Sequence, residues 1–189
     1  MHSVMMRLAR VMAFLGGAVL TALILLTCLS ILGRTLNSAL HAIGTGWAQS
    51  LIELGVGPVN GDFELVEAGM AFAIFAFLPL CQITAGHAVV DIFTSQMPDR
   101  LRRVLASITE IVFALILVLI AVQLWSGMES KIRSGQTSFI LAYPVWWGYA
   151  GAMVGAFFAA LIAVYMAVMR TFEAATGRAI LPEAEGAEH

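Results

Sequence analysis

Four histidines, two cysteines and a few carboxylates set in apolar sequence are the side chains with which this chain could do chemistry. A haem-binding bundle needs histidines facing one another inside its helices. Here His2, His41, His87 and His189 all fall outside the long apolar runs. Cys28 and Cys81 sit inside such runs, far apart in the chain, and read as small buried hydrophobes rather than as a disulfide or a metal pair. The sequence contains no zinc-ligand spacing, nucleophile elbow or glycine-rich phosphate loop. Neither catalysis, nor a metal, nor a cofactor is expected of this chain. Two carboxylates remain to be placed. Glu67 follows Asp62 and Glu64 at the start of an apolar run, so it is expected at a membrane interface. Glu110 lies seven residues beyond Arg103, about 10 Å deeper along a helix axis. It reads either as a shallow carboxylate snorkelling towards Arg103 or hydrated with Ser107, or as a group that pairs with a partner subunit. Gln82 and Gln123 lie near run ends and call for no special role. No discontinuous helix pair or inverted repeat of the kind that builds a midplane transport site is evident.

The elements that must position these groups follow from composition. Of 189 residues, 60% are hydrophobic and only 12% charged, with a mean hydropathy of +0.91. A soluble domain carries about 25% charged residues because its surface faces water, so much of this surface must face something else. A net charge of −2 argues against nucleic acid, which demands a basic patch. Apolar runs at Val11–Leu32, Leu65–Ile83, Val104–Leu124 and Tyr143–Met169 are each long enough to cross a hydrocarbon core of roughly 30 Å as a helix. The first run is too long for the apolar region of a secretion signal and lacks a small-x-small cleavage pattern, so it reads as a retained anchor. Residues 1–176 then form an all-α, four-helix membrane domain. Residues 177–189 form a polar tail, acidic and poor in apolar residues from Leu181 to His189, which is expected to be disordered.

Basic residues set the expected orientation. With the N-terminus inside, Arg7, Arg10, Arg100, Arg102, Arg103, Arg170 and Arg178 are cytoplasmic, and only Arg34, Lys131 and Arg133 lie outside. The opposite orientation violates the positive-inside rule. Trp47, Trp125, Trp146 and Trp147 then fall at or near the outer interface, where indoles favour the headgroup level. Both termini are thus expected in the cytoplasm. Small residues repeat at helical spacing, with Gly151, Gly155, Ala159 and Ala163 on one stripe of the last run and Ala9, Ala13, Gly17 and Thr21 on the first. Such stripes let backbones approach closely, either within the chain or against another subunit, which makes Gly151, Gly155, Ala159 and Glu110 candidate interface residues. Pro79 is expected to kink the second helix, while Pro98 and Pro144 sit near helix starts. In the first outer loop Leu40, Ile43, Trp47, Leu51 and Leu54 recur at three- and four-residue intervals, predicting a short amphipathic helix in the membrane plane. Gly55, Gly57, Pro58, Asn60 and Gly61 form a turn-rich break after it.

Several loop segments are informative in combination. Gly61-Asp62-Phe63-Glu64-Leu65 opens the second helix, and Gly86-His87 with Asp91 lies in the inner loop after it. Pro98 with Arg100, Arg102 and Arg103 leads into the third helix. Trp125-Ser126-Gly127, Gly135, Thr137-Ser138, Leu141, Pro144 and Trp146 link the third and fourth. This order on four helices resembles the DctQ-like small membrane subunit of tripartite ATP-independent periplasmic (TRAP) transporters, over about residues 6–176. The resemblance implies a separate large permease subunit that carries substrate and an ion, sodium by expectation. It also implies a periplasmic binding protein and an organic acid as substrate. In that arrangement the small subunit, in a bacterial inner membrane, is a non-catalytic scaffold that helps dock the binding protein. Gly86 would supply a backbone conformation closed to other residues at a helix end, with His87 and Asp91 holding the inner turn or touching the large subunit. Arg100, Arg102 and Arg103 would bind lipid phosphates and fix orientation, and Lys131 and Arg133 would face an acidic binding protein. The alternative from another class is a small self-associating four-helix exporter, but such exporters rely on an embedded carboxylate in the first helix and Val11–Leu32 has none. A redox anchor subunit is disfavoured by the lack of intramembrane histidines.

Overall fold

Backbone N–H and C=O groups cannot go unpaired in hydrocarbon, and a helix pairs them within one segment. The computed structural model describes residues 2–44, 46–53, 55, 57–84 and 98–176 and resolves the apolar runs as helices. These are α1 (His2–Ile43), α3 (Asp62–Ile83), α4 (Asp99–Ser134) and α5 (Trp146–Thr176), with a short α2 (Gly46–Glu53) after α1. Four of them are long and apolar enough to cross a membrane. There is no strand among the described residues, only an isolated bridge between Thr137 and Pro144. The inner-loop residues Gly86, His87 and Asp91, and the tail from 177 to 189, lie outside the described residues.

Two boundaries differ from the sequence reading. With 42 residues, α1 is roughly 63 Å long at about 1.5 Å per residue, and it continues well past Leu32. No proline interrupts it, and Gly44, at a positive φ of 64°, ends the helix in the left-handed manner of a C-cap. Leu40 and Ile43 are therefore the last turns of α1, with His41 beside them, and only the eight residues of α2 carry Trp47. The single amphipathic helix expected from Leu40 to Leu54 is two pieces. At the other end of the chain, α5 starts at Trp146 rather than at Tyr143, with Pro144 two residues before the helix, near its start as expected.

Packing orders the long helices as α1, α3, α5, α4: α1 lies on α3, α3 on α5, and α5 on α4. Half of the apolar stretch of α5 is buried within the chain, against 17% for α1, 28% for α3 and 22% for α4. Small residues set this closeness. A Cβ on Gly16 of α1 would lie 2.9 Å from the Ala76 Cβ of α3, and one on Gly155 of α5 would lie 2.8 Å from the Phe75 Cβ. Ala159, Ala163 and Ala167 of α5 pack with Ala114 and Leu117 of α4. Near the end of the bundle that holds the N-terminus, Ala9, Ile83, Ile162 and Met166 join α1, α3 and α5. Phe14, Leu25 and Leu32 of α1 and Leu115, Leu119 and Val122 of α4 stay exposed. Apolar side chains on these two flanks are what a lipid-facing or subunit-facing surface requires.

Candidate functional site

The polar groups that the sequence scatters gather at the two ends of the bundle. At the end that holds the N-terminus, Gln82 in the last turn of α3 and Glu110 of α4 are both buried, and the Gln82 amide Nε2 donates to the Glu110 carboxylate. This bond ties together two helices that each pack on α5. One turn away, the Ser107 and Thr171 hydroxyl oxygens lie 3.2 Å apart. The Thr171 hydroxyl donates to the Ala167 carbonyl at 2.6 Å, so its proton is committed and Ser107 is the donor between them. Arg170 donates to the buried Glu173 carboxylate at 2.8 Å. Glu110 thus has its partner inside the chain. Gln82 is the residue that sequence reasoning passed over: its place near a run end hid the fact that its amide faces a carboxylate 28 positions away.

At the opposite end, two acidic residues in the first turn of α3 hold the loops. The apolar run begins at Leu65, so Asp62 and Glu64 stand just outside the membrane-spanning stretch. The Ser30 hydroxyl of α1 donates to Asp62, and the Phe63 N–H donates to its other oxygen at 2.8 Å. The Ser30 bond first, then the Phe63 N–H, hold the Asp62 carboxyl below its usual range. Glu64 clasps the loop between α4 and α5. It accepts the Ile140 N–H at 2.7 Å and the Leu141 N–H at 2.9 Å, while the Tyr143 hydroxyl donates to the Glu64 carbonyl at 3.1 Å. Desolvation pushes the Glu64 carboxyl up, but the hydrogen-bond donors of the loop, led by the Leu141 and Ile140 N–H groups, together leave the group below its ordinary value of 4.5. Inside the loop, Ser138 N–H donates to Tyr143 C=O at 2.8 Å and Val145 N–H to Gln136 C=O at 3.0 Å. Gly61, at φ 77°, lies under Leu141, whose Cγ a Cβ there would approach to 2.4 Å. The sequence signal for this clasp was an acidic pair at a helix N-terminus, where negative charge is favoured. Nothing local named the loop it would hold.

The other anticipated residues fall as follows. Gly155 and Ala159 are covered by α3 and α4, so the stripe left open between internal and intersubunit packing is used here inside the chain. Gly151 is looser, with Phe72 Cβ 3.8 Å from where its Cβ would stand. Arg100, Arg102 and Arg103 occupy the first turns of α4, with Arg100 and Arg102 exposed. The Lys131 ammonium donates to Gln136 at 2.7 Å, and Arg133 pairs with Glu129 at 3.5 Å on an exposed helix face. Among the described residues no group of three or more His, Cys, Asp or Glu side chains is placed to hold a metal ion. The interactions at both ends join helices and loops to one another, which is the chemistry of a frame.

Comparison with curated proteins and with solved structures gives no match. The family model described as tripartite ATP-independent periplasmic transporters, DctQ component, matches residues 23–173. That stretch runs from the middle of α1 to the last turn of α5 and includes both polar ends of the bundle. The chain therefore belongs to the DctQ component family of the tripartite ATP-independent periplasmic transporters.

Proposed function

We propose that this small TRAP permease subunit is a non-catalytic scaffold for a separate large permease subunit, in a bacterial inner membrane with both termini in the cytoplasm. The observation that carries the reading is the family match, taken with a frame whose polar groups are spent on holding helices together. The exposed apolar sides of α1 and α4 supply area that a large membrane partner and lipid can cover. The transporter is read as driven by an ion gradient, sodium in expectation, and as taking up organic acids. Specificity then resides in the large subunit and the binding protein. The end of the bundle that carries Lys131, Arg133 and the Glu64-clasped loop is the side that faces the binding protein in this reading. Arg100, Arg102 and Arg103 fix orientation through lipid phosphates, and Gly86, His87 and Asp91 hold the inner turn.

The test is co-purification. The chain alone carries a tag, is expressed with the large permease, and is extracted in mild detergent. A one-to-one complex is the expected result. Recovery of a stable homodimer free of the large subunit would overturn the scaffold reading and favour a self-associating exporter.

A further inference from the structure

The loop between α4 and α5 ends in an apolar tip that nothing among the described residues covers. Phe139 is fully exposed and Ile140 is 62% exposed. The depth of this tip follows from its contacts. Glu64, which holds Ile140 and Leu141, immediately precedes the apolar run that starts at Leu65. Tyr143, which opens the last apolar run, reaches the same residue, and Gly148 of α5 stands beside Ala68 of α3. Phe139 therefore lies within about one helical turn, roughly 5 Å, of the level at which the two runs enter hydrocarbon. At that level Phe63 and Trp147 are also exposed, as an aromatic belt requires.

The backbone carries a second, independent observation. A water-facing loop leaves many of its N–H groups to solvent, but here three of the four from Ser138 to Leu141 are paired internally. Ser138 N–H goes to the Tyr143 carbonyl, and Ile140 and Leu141 go to the two Glu64 oxygens. Irregular backbone is tolerated in a water-poor layer only when its polar groups are satisfied in this way.

We propose that the Phe139–Ile140 tip, held down by Glu64, is seated in the headgroup layer of the membrane as a lipid anchor. Depth, exposed apolar side chains and backbone N–H groups bonded within the chain are the three properties that favour such an anchor. The inference stands apart from the transporter reading, because it depends only on where the loop sits relative to the apolar runs.

The experiment places a nitrobenzoxadiazole probe at Phe139→Cys in the full chain with Cys28→Ala and Cys81→Ala. The protein is held in nanodiscs of phosphatidylethanolamine and phosphatidylglycerol, both alone and with the large subunit. The Phe139 side chain is fully exposed, so the substitution leaves the fold intact. The expected result is loss of emission to lipids with a nitroxide near the headgroup and little loss to aqueous iodide. A probe at Ser38→Cys provides the aqueous reference, since it lies eight residues, about 12 Å, beyond the Ser30 that meets Asp62. Adding Glu64→Ala is expected to move the Phe139 probe from lipid quenching to iodide quenching. Iodide quenching in the parent background would overturn the proposal. So would shielding from both quenchers once the large subunit is present, which would make the tip a protein-docking element instead.

Discussion

Replacement of Gly155 by alanine tests whether small-residue contact sets the distance between α3 and α5. The added Cβ would lie 2.8 Å from Phe75 Cβ, 2.9 Å from the Phe75 carbonyl carbon and 3.0 Å from Ala76 N. Two of these three atoms are backbone, so no side-chain rotation relieves the contact. Ordinary contact begins at 3.4 Å, so the helices must part by roughly 0.6 Å; gaps of about 0.5–1 Å already forfeit a quarter to a half of each dispersion contact. Ala152, Ala156 and Ala159 share the buried side of α5 and lose contact with it. Overpacking of this kind costs about 1–3 kcal/mol. Against it stands the better helix propensity of alanine, about 1 kcal/mol. Gly17→Ala reads that propensity gain alone, because nothing lies within 4 Å of its Cβ position. Gly151→Ala, at 3.8 Å from Phe72 Cβ, adds an ordinary contact. Purified full-length variants in detergent are heated in aliquots, and the fraction still monodisperse on size exclusion gives a midpoint. Gly155→Ala is expected below Gly17→Ala by about 2–12 °C, from the 1–3 kcal/mol above at roughly 2–4 °C per kcal/mol for a chain of this size. Gly151→Ala is expected level with Gly17→Ala. Equal midpoints for all three would refute the argument that Gly155 governs the approach of α3 to α5.

At the end of the bundle that holds the N-terminus, Gln82→Leu removes the donor to a buried Glu110 and is expected to destabilise the bundle by about 1–3 kcal/mol or more, because a buried acceptor loses its partner. The pair Gln82→Leu with Glu110→Leu is expected to recover most of that loss in the same thermal assay, and a double variant worse than the single would count against the pairing. At the opposite end, the Glu64 clasp should depend on pH. Its carboxyl is held below 4.5, so its stabilising bonds are fully present above that value and are lost as pH falls through the lower folded value. Hydrogen-exchange protection of the Ile140 and Leu141 amides is expected to fall over that acid range in the parent, while in Glu64→Gln it is expected to be weak at every pH; a parent profile flat in acid would argue against the clasp. Cytoplasmic reporter fusions at both termini are expected to be active, and an enzymatic reporter that functions only outside is expected to be silent at either end. The reverse pattern would overturn the proposed orientation.

The number of long helices and their approximate limits were legible in the sequence, because hydrocarbon thickness dictates the length of an apolar run and leaves helix as the backbone solution. The run Leu65–Ile83 ends where α3 ends. Extensions beyond the runs were less visible, since α1 to Ile43 and α4 to Ser134 continue through polar residues that carry helix propensity but no hydropathy signal. The family resemblance was legible too, in ordered loop motifs rather than in any reactive side chain. Tertiary structure alone decided that α5 is central, that Gln82 meets Glu110, and that Glu64 clasps a loop 76 and 77 residues further along the chain. Periodicity reports which side of a helix is apolar. It does not report which helix will face it, because in lipid every side of these runs is apolar, and neighbours are chosen by close approach and by a few polar bonds formed between distant residues.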